Sequence, residues 1–197
     1  MKNLQKPTFK NDQYFKLNKK IVWNSLRSIE NVVKKDHSGK KAFEKVWIPE
    51  NQINGSVKKI DIESFNEVNF HFMEAFQEII ENGTCLQDLE LVAVRHNILT
   101  KNDSVDMHSD VDGYVVIIDI PEPEEDEQKW GPKETEESKR TFEGGNILFK
   151  KDNGEIVEIT LQPDELLIAK CTNEHGVSKV LSGKRESIAL FSRPKAS

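Results

Sequence analysis

From Leu89 onward the chain reads as a succession of short β segments: "LELVAVRHNIL", "YVVIIDI", "NILFK", "EIVEIT", "ELLIAK" and "ESIALFS". They are separated by Gly, Pro, Asp and Asn, the residues that close turns, and several alternate apolar and polar positions. Six such segments in about half a chain demand mutual pairing, and their apolar faces need a second layer. The spacing therefore predicts a sandwich or barrel-like roll. The residues before Leu89 carry a different period. "IVWNSLRSIENVVKK" puts Ile21, Val22, Leu26, Ile29, Val32 and Val33 on one helical face. Phe65, Val68, Phe72, Met73, Phe76, Ile79 and Ile80 repeat that spacing after "SFNE", Ser64–Glu67, which has the spacing of a capping box. "FEKVWIPE" between them has room for a short strand.

The expected architecture is thus α+β in one domain of 197 residues. Residues 1–84 form a helical N-terminal support and residues 85–197 a β core. A stretch at about 121–143, "PEPEEDEQKWGPKETEESKRTFE", is too long and too polar for either period. Segments of this kind are lids or merely solvated inserts, and both readings stay open. Its acidic run, Glu122–Glu127, would attract a cation, though such runs are more often solvated loops.

Composition bounds the function. Net charge is −6, which gives no basic face for general nucleic-acid binding. The longest apolar run, "YVVII", is far too short to span a bilayer, and "MKNLQKPTFKNDQ" has no apolar leader segment. The expected location is cytoplasmic. The two cysteines, Cys85 and Cys171, then read as free thiols, Cys171 as a packing residue.

The chemistry gathers around "MHSDVDG". In an extended segment positions i and i+2 share a face, so His108 and Asp110 present an imidazole and a carboxylate together. On its own that pair is weak evidence. His175 in "CTNEHGVSKV", between two strand-like stretches, is the candidate third arm. Two histidines and one carboxylate suit Fe(II) with open positions, and zinc accepts the same set. Ten residues on, Arg185 lies among apolar strand residues, where a charge must be paired. Its fork fits a carboxylate, and Ser187 shares its face. A salt bridge to some Glu is the plainer reading of Arg185 alone. His37, His71 and His96 have no partner at ligand spacing, and His96 points to the opposite face from Arg95 and Asn97.

The order His108-x-Asp110, Gly144-Gly145-x-x-Leu148-Phe149, His175-Gly176-Val177, Arg185-x-Ser187 resembles the Fe(II)/2-oxoglutarate-dependent dioxygenase superfamily, within it the prolyl-hydroxylase-like branch. The likeness spans roughly Leu89 to Ser192. It implies a double-stranded β-helix (jelly-roll) core with N-terminal helices packed on one sheet. It implies His108, Asp110 and His175 as iron ligands, and Arg185 with Ser187 as the clamp on the distal carboxylate of 2-oxoglutarate. Fe(II), 2-oxoglutarate and O₂ are the implied cofactors, with stimulation by ascorbate left open. The reaction it implies is hydroxylation of an amino-acid, peptidyl or related small-metabolite substrate, with release of succinate and CO₂. Asp110 argues for hydroxylation, because halogenating relatives lack that carboxylate; desaturation and cyclisation stay open.

Two features depart from the branch. It often carries a Tyr on the strand before His-x-Asp, where this chain has "VRHNIL", so Asn97 is the candidate replacement at the cosubstrate. Arg95 on the same face is a candidate for substrate, with a surface salt bridge as its alternative, and Asp112 is a candidate at the pocket edge. The insert at 121–143 has no counterpart and is where specificity is expected. Two other readings remain: a nucleic-acid demethylase with the same centre, against which the composition argues, and a metal-binding jelly-roll without catalysis, which would have no use for a clamp at Arg185 and Ser187.

Overall fold

A strand buried along both faces has to lie inside a sheet with a layer on each side. The segment from Arg185 to Ser192 is buried at every position, which fixes it as the centre of the molecule. The computed structural model describes residues 14–19, 44–45, 53–54, 56–60, 67–84, 86, 88–110, 113–120 and 140–195. Its elements run β1 (Tyr14–Asn18), β2 (Glu44–Lys45), β3 (Ile53–Asn54), β4 (Ser56–Ile60), α1 (Glu67–Gly83), β5 (Leu89–Thr100), β6 (Ser104–His108) and β7 (Tyr114–Ile120). They continue with β8 (Glu143–Gly144), β9 (Ile147–Lys150), β10 (Ile156–Ile159), β11 (Glu165–Lys170), β12 (His175–Val177), β13 (Val180–Ser182) and β14 (Lys184–Pro194).

Seven strands form the larger sheet in the order β1-β11-β7-β14-β5-β4-β2, and five the smaller in the order β10-β9-β12-β6-β3. From β5 to β14 the chain passes back and forth between the two sheets, and every pairing is antiparallel. That alternation is the jelly-roll, the expected core. β14 lies between β7 and β5, with Ile188 opposite both Ile118 and His96.

Strand period 2 divides the apolar residues of the large sheet between two cores. Ile188, Leu190, Val94, Val116, Ile118, Leu166 and Ile168 face α1. The helix meets them with Phe72, Ala75, Phe76, Ile79 and Ile80, one stripe at helical spacing, while Met73 is exposed. The residues of opposite parity, Val115, Leu167, Ala169, Ala189 and Phe191, pack with Ile147, Phe149 and Ile159 of the smaller sheet.

The expectation of a helical segment over 1–84 needs correcting. One helix of that span, α1, packs on the large sheet as expected, but β1 to β4 also belong to it. β1 completes one edge of the large sheet against β11, and β4 with β2 completes the other beyond β5. β3 adds to the smaller sheet through β6. Edges left open would be templates for unwanted pairing, and here the N-terminal part supplies their cover. The other expected helix, around 21–35, lies outside the described residues, as do Ser64, His37 and residues 121–139 of the insert.

Candidate metal centre

His108 ends β6 and His175 begins β12, and the antiparallel register sets them directly opposite each other. Opposed residues of paired strands share a face, so pairing alone brings two distant histidines together. Their ring centroids are 4.7 Å apart. Gly176 is required by this approach: a Cβ there would meet the Val105 carbonyl oxygen at 2.6 Å. Asp110 lies past the end of β6, so strand alternation does not aim it. Instead its N–H donates to the Cys171 carbonyl (3.0 Å), and Cys171 N–H donates to that of Gly113 (2.9 Å). This ties the loop after β6 to the turn after β11. Asp112 lies outside the described residues.

The hydrogen bonds decide which atoms face inward. His108 Nδ1 donates to the Asp106 carbonyl and His175 Nδ1 to that of Asn173, both at 2.8 Å. A carbonyl can only accept, so the imidazole proton sits on Nδ1 and each Nε2 presents a lone pair. His175 Nε2 is 3.3 Å and His108 Nε2 3.8 Å from Asp110 Oδ2. That oxygen is buried and makes no hydrogen bond among the described residues. Three acceptor atoms, all within 4.8 Å of one another, converge with no donor between them. A cation at their centre would resolve this arrangement, and the carbonyls behind the rings are the kind of outer support that metal-binding histidines need. Burial raises the Asp110 pKa, but the positive charge of Arg95 beside it acts in the opposite direction. The carboxyl is held below the usual aspartate value.

The other candidates line the face of the large sheet that looks toward the smaller one. Arg95 lies on β5, its guanidinium 4.5 Å over the Phe191 ring and its Nη2 3.8 Å from Asp110 Oδ1. Its charge therefore reaches the triad rather than a distant surface acid. Asn97, Ser187 and Asp119 form one row across β5, β14 and β7. Arg185, two positions along β14 and so on the same face, is only 3% exposed. Its Nε donates to Asp119 Oδ1 (3.0 Å). Nη2 also lies 2.8 Å from that oxygen, but makes no hydrogen bond with it or with any other described residue. His96 faces the other way and pairs with Glu186 beneath the sheet, as its alternation requires.

Sequence reading did not single out Asp119. The signal was present: an aspartate inside "YVVIIDI" is a buried charge that needs a cation, and Arg185 in its own apolar run is the complement. Arg140 was also missed. It donates through Nη2 to the Gly144 carbonyl (2.9 Å), and its guanidinium lies 4.1 Å over the Phe142 ring.

No family model matches the chain and no curated protein matches it. Solved structures do. A prolyl-4-hydroxylase from Pseudomonas putida superposes with a TM-score of 0.62 at 12% identity, over 93% of this chain and 94% of that one. A prolyl hydroxylase from Trichoplax adhaerens, in complex with a hypoxia inducible factor peptide fragment, gives 0.56 at 14%, over 92% and 84%. The non-heme alpha ketoglutarate dependent carbocyclase SnoK from nogalamycin biosynthesis gives 0.59 at 10%, over 96% and 85%. The chain has the fold of the 2-oxoglutarate-Fe(II) oxygenases, including prolyl hydroxylases, as the motif order implied.

Proposed function

We propose that this chain is an Fe(II)- and 2-oxoglutarate-dependent oxygenase that hydroxylates an amino-acid, peptidyl or related small-metabolite substrate. The observation that carries the reading is the convergence of the two Nε2 atoms and the Asp110 carboxylate without a donor between them. His108, Asp110 and His175 would hold the iron, a hard carboxylate and two imidazoles being the ligand set that suits it. When bound, the metal supplies activation of O₂ and, with 2-oxoglutarate as co-reductant, the oxidising power for a C–H bond.

The protein's own groups bind, orient and shield. Arg185 supplies a buried charge and an unused Nη2 donor on the inner face, suited to the distal carboxylate of 2-oxoglutarate. Asp119 fixes the guanidinium plane through Nε, so the donor edge is set before the ligand arrives. Ser187 and Asn97, side by side on that face, offer a hydroxyl and an amide to the same ligand. Phe191, Val115 and Ala189 wall off water from this side. Arg95 favours the ionised form of Asp110 and, being part exposed, is available to a substrate carbonyl or carboxylate.

The test is anaerobic addition of Fe(II) and 2-oxoglutarate, followed by air. A weak visible charge-transfer band should appear first, then succinate. A chain that shows neither and retains zinc instead refutes the proposal. Succinate release across a panel of amino acids, peptides and single-stranded nucleic acid, with product analysis, identifies the substrate class and separates hydroxylation from cyclisation or desaturation.

A further inference from the structure

We infer that Arg140 is a second guanidinium of the pocket for the distal carboxylate, acting with Arg185; this deepens the oxygenase reading and rests on it. The segment from Arg140 to Gly145 closes over Arg185. Gly183, two positions before Arg185, has the Thr141 carbonyl so near that a Cβ would meet it at 2.5 Å. Gly145, at φ 59°, lies against the Arg185 side chain: a Cβ there would be 3.1 Å from Cδ and 3.5 Å from Phe142 Cε2. Phe142 in turn carries the Arg140 guanidinium on its ring. The Gly-Gly pair thus joins the two arginines through a backbone turn, a stacked ring and a hydrogen bond to Gly144.

Donors and charge are both left over at this end of the roll. Arg140 Nε is buried and has no acceptor among the described residues, and the buried Arg185 Nη2, though 2.8 Å from Asp119 Oδ1, makes no hydrogen bond with it. Asp119 pairs with Arg185, and its charge also acts on Arg140. Glu158 also acts on Arg140, but it is exposed and already accepts from Asn146 Nδ2 (2.8 Å) and Ser178 Oγ (3.2 Å). Burial and the nearby Arg185 charge make the Arg140 cation less favourable than usual, and Asp119 only partly offsets this. One further carboxylate, with two oxygens to accept from two forks, balances both the donors and the charge.

The experiment compares anaerobic calorimetric binding of 2-oxoglutarate with 2-oxobutyrate, which chelates a metal equally well but lacks the distal carboxylate. Both are added to the Mn(II)-loaded protein. Arg140→Gln should weaken 2-oxoglutarate by about tenfold, as loss of a charged hydrogen bond does. Its affinity for 2-oxobutyrate and Mn(II) should stay at the wild-type value. Arg140→Lys, which keeps the charge but loses Nε, should fall between, and carries the test alone if the Gln variant does not fold. Unchanged 2-oxoglutarate affinity in these variants overturns the inference and leaves the oxygenase reading standing, as does an equal loss for both keto acids. A wild-type protein that binds both alike overturns the two-arginine pocket, and one that binds neither overturns the parent reading as well.

Discussion

His175 belongs to neither apolar core, so its replacement tests chemistry more than stability. His175→Ala should abolish tight Mn(II) or Fe(II) binding in calorimetry while leaving the melting temperature of the metal-free chain within a few degrees. Metal affinity within threefold of wild type would refute the ligand role. Arg185 is the opposite case, because its proposed ligand role coincides with a buried ion pair to Asp119. Arg185→Gln strands Asp119 as a buried charge without its partner, which should cost about 3–5 kcal/mol in denaturant unfolding. Adding Asp119→Asn should recover most of that stability but none of the 2-oxoglutarate affinity. A double variant that regains the affinity would show that the arginine serves only the ion pair. These residues also show what a sequence can disclose. His108, His175 and Arg185 are legible because chemistry restricts their type and order. The Asp119–Arg185 pair follows from two charges stranded in apolar runs. Arg140 has no such mark: its partners are a main-chain oxygen and an aromatic face, and neither leaves a pattern in one dimension.

Register explains which elements could be read in advance. β7 and β11 fall where "YVVIIDI" and "ELLIAK" stand, because a strand buried on both faces is apolar along its whole length. β1 and β4, "YFKLN" and "SVKKI", have no comparable signal, since β1 is an edge strand and β4 has only the two-residue β2 beyond it, so each is specified by the neighbour it meets. The pairing of β6 with β12 depends on Gly176, and a methyl group there has nowhere to go. Gly176→Ala should push these strands apart, lower stability by about 1–3 kcal/mol and weaken metal binding at the same time. Were metal affinity to survive while stability fell, the alignment of the two histidines would have to rest on something other than this contact.

Across the whole molecule, the two cores divide the work. The one under α1 anchors the large sheet, and the one between the sheets surrounds the site. Phe76→Ala should therefore destabilise by about 3–5 kcal/mol, read from urea unfolding, without changing metal affinity at a temperature where the variant stays folded. A large loss of metal affinity in that folded variant would mean that the sheet transmits strain from one face to the other. The position of β14 has a further consequence, which concerns the order of events in time. It follows every other described strand in the chain, yet it lies between β7 and β5. Until it leaves the ribosome those two have no shared neighbour, and the large sheet exists as separate halves. Nascent chains stalled at Gly183 should stay open to protease although His108, Asp110 and His175 have all been made. For this chain, a stop codon just before β14 would remove the fold as a whole.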